Sequence, residues 1–260
     1  MAVVQRTLET DHPAGKATLE VVVRSGRGPA IVWLGGYKSD MTSTKAAALD
    51  RWAEASGHAS VRFDYSGHGV SGGRFEDGTI GRWLGEALAV IEAFAGPRPI
   101  LVGSSMGGWI ALLATLRLRA RESPHHPAGL VLIAPAVDFT ESLMWAQFPP
   151  DIRAAIETEG VWLRPSEYSP DPTPVTRALI EDGRRHLLFG KPFHLGCPVH
   201  ILQGGRDPDV PAAHALTLVE HLPQDRVTLT MIPDGDHRLS RDEDIARLVA
   251  ITAAMAAEND

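Results

Sequence analysis

The sequence predicts an α/β fold, a mainly parallel central sheet flanked by helices. Short apolar runs alternate with longer segments whose apolar residues recur at helical spacing. Residues 30–34 and 130–134 are apolar without polar alternation, which is typical of strands buried on both faces of a parallel sheet. Because helical segments separate these strands along the chain, crossover connections and a parallel sheet are expected.

The composition is that of one globular domain spanning residues 1–260. Of these residues 44% are apolar and 22% are charged, which leaves room for a large core. The 25 Lys and Arg against 32 Asp and Glu give a net charge of −7, so a nucleic-acid partner is not expected. The single cysteine, Cys197, cannot form an internal disulfide, which fits a reducing compartment.

The location of the protein in the cell is predicted from the lengths of the apolar runs and from the first residues. None reaches the roughly 18 residues that a membrane span needs, and residues 1–6 lack the pattern of a signal peptide. We therefore expect a cytoplasmic protein without a membrane span. The oligomeric state is left open by the sequence.

The individual elements follow from periodicity and end signals. Gly57 is placed to end the first helix in a left-handed conformation, and Ser240 and Glu243 have capping-box spacing before the last helix. The predicted strands are residues 16–23, 30–34, 59–63, 99–102, 130–134, 199–202 and 227–231. The predicted helices begin near residues 44, 77, 105, 211 and 240.

The alternation stops between the strands at 130–134 and 199–202. A connection of about sixty residues is too long for a simple loop, so residues 138–196 are predicted to be an inserted cap with two or three short helices. Its large apolar residues suggest a hydrophobic pocket for the substrate, although such residues are also typical of plain core. The candidates for this pocket are Met144, Trp145, Phe148 and Trp162.

Ser105 is the candidate nucleophile. The sequence GSSMG at residues 103–107 fits G-x-S-x-G and stands between a predicted strand and a predicted helix, as that motif requires. On so sharp a turn the residues two before and two after the serine must be small. Gly103 and Gly107 satisfy this for Ser105, whereas Ser104 would place larger residues there. The alternative is a glycine-rich bend in which the serines only cap the helix.

A serine hydroxyl needs a base, and the base needs an acid that orients it. Asp207 follows the strand at 199–202 and His237 follows the strand at 227–231, in the chain order Ser, acid, His. The carboxyl ends of parallel strands meet at one edge of the sheet, so these side chains can converge there without a metal. Asp209 and Asp138 are the alternative acids.

Acyl transfer also needs N–H donors for the oxyanion that forms on the attacked carbonyl. One donor is expected from the residue after the nucleophile, Met106. The second is expected from the loop after the strand at 30–34, where the N–H of Tyr37 is the first choice and that of Gly36 the alternative.

The sequence GHGVSG at residues 67–72 matches G-x-G-x-x-G, a pattern of dinucleotide-binding sites. There the helix opens within the motif, so that its N-terminus faces the pyrophosphate. Here helix signals begin only near residue 77. We therefore interpret the segment as a turn that braces the loop carrying Tyr37, and we expect no cofactor and no bound metal.

These motifs together resemble the α/β-hydrolase superfamily. The resemblance rests on GY at 36–37, RFDYSG at 62–67, GSSMGGW at 103–109, GVW at 160–162, DPDVP at 207–211 and DHR at 236–238. Within the superfamily the chain is similar to the subgroup of mitochondrial palmitoyl-protein thioesterases and acyl-glucuronide esterases. One departure is Gln203-Gly204, which replaces a His-Gly often seen before the acid loop.

The resemblance implies a nucleophile at Ser105, an acid at Asp207 and a base at His237, and long-chain acyl thioesters or acyl glucuronides as substrates. We therefore expect a serine hydrolase that cleaves ester or thioester bonds of a small molecule or an acylated protein through an acyl-enzyme. The alternatives are another reaction on the same triad, such as carbon-carbon bond hydrolysis or acyl transfer, and a non-catalytic binding module.

Overall fold

The computed structural model of the protein describes residues 2–12, 15–165 and 172–259, which form ten strands and seven helices. The strands are β1 (Val3–Thr10), β2 (Ala17–Arg24), β3 (Arg27–Leu34), β4 (His58–Phe63), β5 (Ile100–Ser104), β6 (Gly129–Ile133), β7 (Val161–Arg164), β8 (Thr173–Thr176), β9 (Val199–Gly204) and β10 (Val227–Ile232). The helices are α1 (Thr44–Ser56), α2 (Ile80–Phe94), α3 (Met106–Ala120), α4 (Pro150–Glu159), α5 (Arg177–Gly183), α6 (Ala212–Glu220) and α7 (Asp242–Ala257).

Eight of these strands form the central sheet, in the order β1-β2-β4-β3-β5-β6-β9-β10. Every pair from β4 to β10 in this order is parallel, and β2 is antiparallel to both of its neighbours. The predicted α/β architecture with a mainly parallel sheet is therefore confirmed.

The core consists of two apolar layers, one on each face of the sheet. Successive residues of β5 alternate between the layers, as a pleated strand requires, with Leu101 in one layer and Val102 in the other. Helices α2 and α3 cover the larger layer with the fully buried Trp83 and Trp109. Helices α1 and α7 cover the smaller one. Burial on both faces explains why the central strands carry continuous apolar sequences.

Strand β1 was not predicted from the sequence. It lies at the edge of the sheet and pairs with β2 along its whole length. Most of its residues are exposed and none is fully buried. Such a strand needs few apolar residues, so its sequence lacks the signal that identified the central strands.

The start of α7 differs from the prediction. Gly57 does end α1 in the left-handed conformation, with φ of 82°. The capping box of Ser240 and Glu243 is wrong, since α7 begins at Asp242 and no side chain caps it. The Ser240 hydroxyl instead donates to the carbonyl oxygen of Arg238.

The segment predicted as a cap contains more than short helices. After β6 the chain forms a π-helical turn (Thr140–Met144) and a 3-10 turn (Trp145–Gln147), followed by α4 and α5. Strands β7 and β8 form a separate antiparallel pair between these helices. The prediction missed this pair because each strand has four residues and β8 contains Pro174. Residues 166–171 of the predicted cap lie outside the described residues.

Asp138 connects the two ends of this segment. Its carboxylate accepts hydrogen bonds from the N–H groups of Leu188, at 2.9 and 3.0 Å, and Phe189, at 2.9 Å. Burial raises the pKa of Asp138 above its usual range. The residue adopts a left-handed φ of 55°, which aspartate and asparagine tolerate better than most side chains.

No helix in the described part of the chain has both the length and the apolar character needed to cross a membrane.

We predict that Asp138→Asn lowers the free energy of unfolding by about 2 kcal/mol, because a neutral amide oxygen accepts more weakly than a carboxylate and the NH2 group would face the Leu188 N–H, while asparagine still tolerates the backbone conformation. Urea denaturation measures the change. The matched control is Glu141→Gln, which removes only a partly exposed ion pair with Arg184 and should cost less than about 1 kcal/mol. Equal losses in the two variants would show that Asp138 does not hold the segment.

Candidate active site

Ser105 lies on the turn between β5 and α3 with a strained backbone, φ 54° and ψ −118°. Such a conformation costs about 1–3 kcal/mol and persists only where the surroundings hold it. Here the Ser105 N–H donates to the carbonyl oxygen of Ile133 at 2.9 Å, and its carbonyl oxygen accepts from the N–H groups of Gly108 and Ala136. The end of β6 and the residues after it therefore fix the turn.

The glycines that flank Ser105 are required by close backbone contacts. A Cβ atom on Gly103 would overlap the carbonyl oxygen of Gly107. A Cβ atom on Gly107 would overlap the carbonyl oxygen of Leu34 at the end of β3. The positions two before and two after Ser105 are thus the crowded ones, as the spacing argument expected.

The structure brings Ser105, His237 and Asp207 together. Nε2 of His237 lies 3.1 Å from Oγ of Ser105, and Nδ1 lies 2.8 Å from Oδ2 of Asp207. A ring that donates from Nδ1 to a carboxylate has its unprotonated Nε2 directed at the serine hydroxyl. The Asp207 side chain is fully buried and that of His237 is 19% exposed, so the imidazole is accessible from outside the protein.

The loop after β9 holds the Asp207 carboxylate. Oδ1 of Asp207 accepts from the N–H groups of Asp209 at 2.9 Å and Val210 at 2.8 Å. Oδ2 lies 3.3 Å from the side-chain nitrogen of Gln203. Sequence reasoning did not identify Gln203 as a site residue, because a glutamine in a strand gives no local signal of its partner.

The alternative acids have other positions. Asp138 binds the N–H groups of Leu188 and Phe189. Asp209 lies near the site, and its carboxylate forms with Asp207 and His237 a group whose potential ligand atoms lie within 4.8 Å of one another. Both ring nitrogens of His237 are already engaged by Ser105 and Asp207. The arrangement of this group therefore fits proton transfer between Ser105 and His237 better than it fits the binding of a metal ion.

The loop after β3 passes beside Ser105. Leu34 pairs with Gly103 in the sheet, and a Cβ atom on Gly36 would lie 3.4 Å from that of Ser105. Among the described residues the Tyr37 N–H donates to no other group. The Met106 N–H opens α3 and has no acceptor within the helix. These are the two donors expected for an oxyanion.

His68 braces this loop. Lys38 follows Tyr37 with a left-handed φ of 58°, and its N–H donates to Nε2 of His68 at 3.2 Å. Nδ1 of the same ring lies 3.2 Å from the carbonyl oxygen of Ser66, to which it donates. Burial lowers the pKa of His68 to about 4, so the ring is neutral near pH 7.

The segment GHGVSG therefore forms the bracing turn that was inferred from the sequence. Helix α2 begins at Ile80, eight residues after the motif, so the motif does not open a helix as a dinucleotide site requires. The Asp64 carboxylate accepts the N–H of Val70 within the motif and that of Met41 in the loop beyond Tyr37. The motif and that loop are thus joined through Asp64 as well as His68.

The Tyr37 side chain makes a contact that the sequence did not predict. Its hydroxyl donates to the carbonyl oxygen of Pro174 in β8 at 2.8 Å. Its ring packs edge-on against Phe75 and Trp83. The two bonded residues are 137 positions apart, so no sequence pattern relates them. The contact joins the loop after β3 to the inserted segment.

The four candidate pocket residues all pack against the larger core layer. Met144 is 7% exposed and Phe148 is 9% exposed, which is the burial of core residues. Trp162 is partly exposed and contacts Phe148 edge-on at 5.2 Å. The guanidinium groups of two arginines, Arg153 and Arg184, lie over the ring of Trp145. Their contribution to substrate binding stays a prediction.

A sheet of this order with a serine on a strained strand-to-helix turn is the architecture of the α/β hydrolases. A sequence profile of the alpha/beta hydrolase family matches residues 27–251, and the chain belongs to this family.

Two mammalian relatives indicate which bonds this class of hydrolase cleaves. The human mitochondrial palmitoyl-protein thioesterase ABHD10 is 35% identical over 225 residues, which are 86% of this chain and 72% of the human protein. The bovine protein of the same name is 36% identical over the same shares. These similarities identify the chain as a hydrolytic enzyme of the ester and thioester class.

Solved structures of hydrolases are also similar to this protein. A putative hydrolase from Agrobacterium vitis S4 superposes with a TM-score of 0.95 at 49% identity, covering 98% of this chain and 100% of that chain. Mouse alpha/beta hydrolase domain-containing protein 10 superposes with a TM-score of 0.86 at 29% identity, covering 98% and 99%.

We predict a pH-dependent loss of stability from His68. Its pKa is lower in the folded protein, about 4, than the ordinary 6.5, so the unfolded chain binds the additional proton. This contribution to stability is complete above pH 6.5 and is lost as the pH falls towards 4. Between pH 7 and 4.5 the wild type should lose about 2–3 kcal/mol more than His68→Gln, measured by urea denaturation. Parallel pH profiles would show that His68 is not buried as a neutral ring.

Proposed function

We propose that this hydrolase cleaves carboxylic esters or thioesters through an acyl-enzyme on Ser105, with His237 as the base and Asp207 as the acid that orients it. The observation that carries the proposal is the continuous hydrogen-bond chain from Oγ of Ser105 through both nitrogens of His237 to Asp207, with lengths of 3.1 and 2.8 Å. Such a series of hydrogen bonds is the arrangement by which a neutral imidazole activates a hydroxyl.

The reaction begins when Oγ of Ser105 attacks the substrate carbonyl and its proton passes to Nε2 of His237. The resulting oxyanion lies between the N–H groups of Tyr37 and Met106, which stabilise the charge as it develops. Collapse of this intermediate breaks the bond to the leaving alcohol or thiol, which takes the proton from His237. Water, activated by the same ring, then attacks the acyl-enzyme and releases the carboxylic acid.

The substrate class we propose is a long-chain acyl ester or thioester, carried by a small molecule or a protein. The curated relatives are named palmitoyl-protein thioesterases, and the segment near the site contributes large apolar side chains. Of the four candidate pocket residues, Trp145 and Trp162 are partly exposed. Because two guanidinium groups cover the Trp145 ring, we propose that Trp162 contacts the acyl chain. Acyl glucuronides are the second substrate class, which the sequence resemblance implies.

The cytoplasmic location expected from the sequence is not supported by the curated relatives, which are mitochondrial. It stays a prediction, and fractionation of the native host would test it.

We predict that Ser105→Ala lowers kcat for a nitrophenyl ester by on the order of 10⁶, because removing the nucleophile disables a triad that acts as a unit. The control is Ser104→Ala, which changes the neighbouring buried hydroxyl and should leave kcat within a few-fold of wild type. If Ser105→Ala retained a tenth of the activity, the assignment of the nucleophile would be wrong.

We predict a preference for longer acyl chains. Each methylene buried against apolar side chains contributes about 0.8 kcal/mol, so kcat/KM should rise at least about tenfold from two-carbon to eight-carbon nitrophenyl esters. Trp162→Ala should reduce this rise, whereas Leu187→Ala, at an exposed position in the same segment, should leave it unchanged. A flat chain-length profile in the wild type would refute the proposed acyl site.

A further inference from the structure

Gln203 lies at the centre of the loop that carries Asp207. It is the fifth residue of β9 and its side chain is completely buried. The side-chain nitrogen lies 3.1 Å from the carbonyl oxygen of Gly204, 2.9 Å from that of Val210 and 3.3 Å from Oδ2 of Asp207. The two N–H groups of this amide are therefore shared among three acceptors, at both ends of the loop and on the carboxylate between them, of which the carboxylate oxygen is the most distant.

The amide of Gln203 and the ring of His237 converge on the same carboxylate oxygen. Oδ2 of Asp207 accepts from Nδ1 of His237 at 2.8 Å and from Gln203, while Oδ1 accepts from the N–H groups of Asp209 and Val210. An ionised carboxylate has about four acceptor positions, so these donors fill them. Rotation of the carboxylate plane would break several of these bonds at once.

The amide is an unfavourable choice for packing alone. Its oxygen is buried and receives no hydrogen bond from any described residue. Burying an unpaired carbonyl oxygen costs stability, whereas an apolar side chain of the same length would avoid that cost. The preceding residues, Ile201 and Leu202, are apolar and buried. A role for the N–H groups of Gln203 explains why a polar side chain stands at this position.

We infer that Gln203 is a positioning residue of the proposed triad. Its amide fixes the plane of the Asp207 carboxylate, and through Oδ2 it fixes the His237 ring relative to Ser105. The inference rests on the proposed function, since it assigns Gln203 a role in the same site. No substrate contact is needed for this role.

The test is Gln203→Met, which keeps the length of the side chain and removes both the donor and the unpaired oxygen. We expect kcat to fall by about tenfold to a hundredfold, because small misplacements of a catalytic base have effects of this size, with KM unchanged. The rate of labelling by a fluorophosphonate should fall by a similar factor. The Tm should fall by no more than a few degrees, because the substitution removes the bonds to Gly204 and Val210 but also the cost of the unpaired oxygen. A residue that only stabilises the fold would leave kcat and the labelling rate of the folded protein unchanged.

The control is Leu202→Met, the same kind of substitution on the opposite face of β9, which should leave kcat and labelling unchanged. A second variant, Gln203→Glu, keeps the shape of the side chain but turns the donor into an acceptor, and kcat should fall at least as far. Thermal melting identifies which variant is folded at the assay temperature. Wild-type kcat in either folded variant would overturn the inference.

The wild-type sample separates this inference from the proposed function. If the wild type neither hydrolyses esters nor reacts with the fluorophosphonate, the proposed function fails. If the wild type is active and folded Gln203→Met matches it, only the role of Gln203 fails.

Discussion

The contact between the Ser105 turn and the end of β3 is the constraint on which the site depends. Only the absence of a Cβ atom lets Gly107 approach the carbonyl oxygen of Leu34, and the same approach places Gly36 beside Ser105. This close contact keeps the Ser105 turn against the loop that carries one of the proposed oxyanion donors. The strain is sustained by the hydrogen bond from the Ser105 N–H to Ile133 in the neighbouring strand.

Buried polar side chains hold the loops that meet at this point. Asp64 and His68 bind the N–H groups of the loop after β3, and Gln203 binds the loop after β9. Each of these side chains is inaccessible to solvent, so its hydrogen bonds are not weakened by competing water. Catalysis by electrostatic stabilisation requires donors that are already in place before the reaction, and rigid loops meet that requirement.

The sequence could predict the features that depend on local patterns or on chain order. The central strands follow from their apolar runs, and the Ser105 turn follows from its glycines. The positions of Asp207 and His237 follow from the strands that precede them, because parallel strands end at one edge. The parallel sheet was predicted because helical segments separate its buried strands along the chain.

The remaining features depend on contacts that no local pattern encodes. Strand β1 has little buried surface, and β7 and β8 are too short to show a period. The bond from Tyr37 to Pro174 and the convergence of Gln203 on Asp207 arise only when distant segments fold together. The Ser240 capping box was wrong because α7 begins at Asp242, with Arg241 and not Ser240 at the N-cap position.

In the proposed reaction, Ser105 carries the acyl group during turnover. Mass spectrometry of peptides from enzyme quenched during reaction with an activated acyl ester tests this claim directly. We expect one acyl group per chain, attached to Ser105 and removed when the substrate is exhausted. Turnover without an acyl adduct, or an adduct on another side chain such as Ser104, would contradict it.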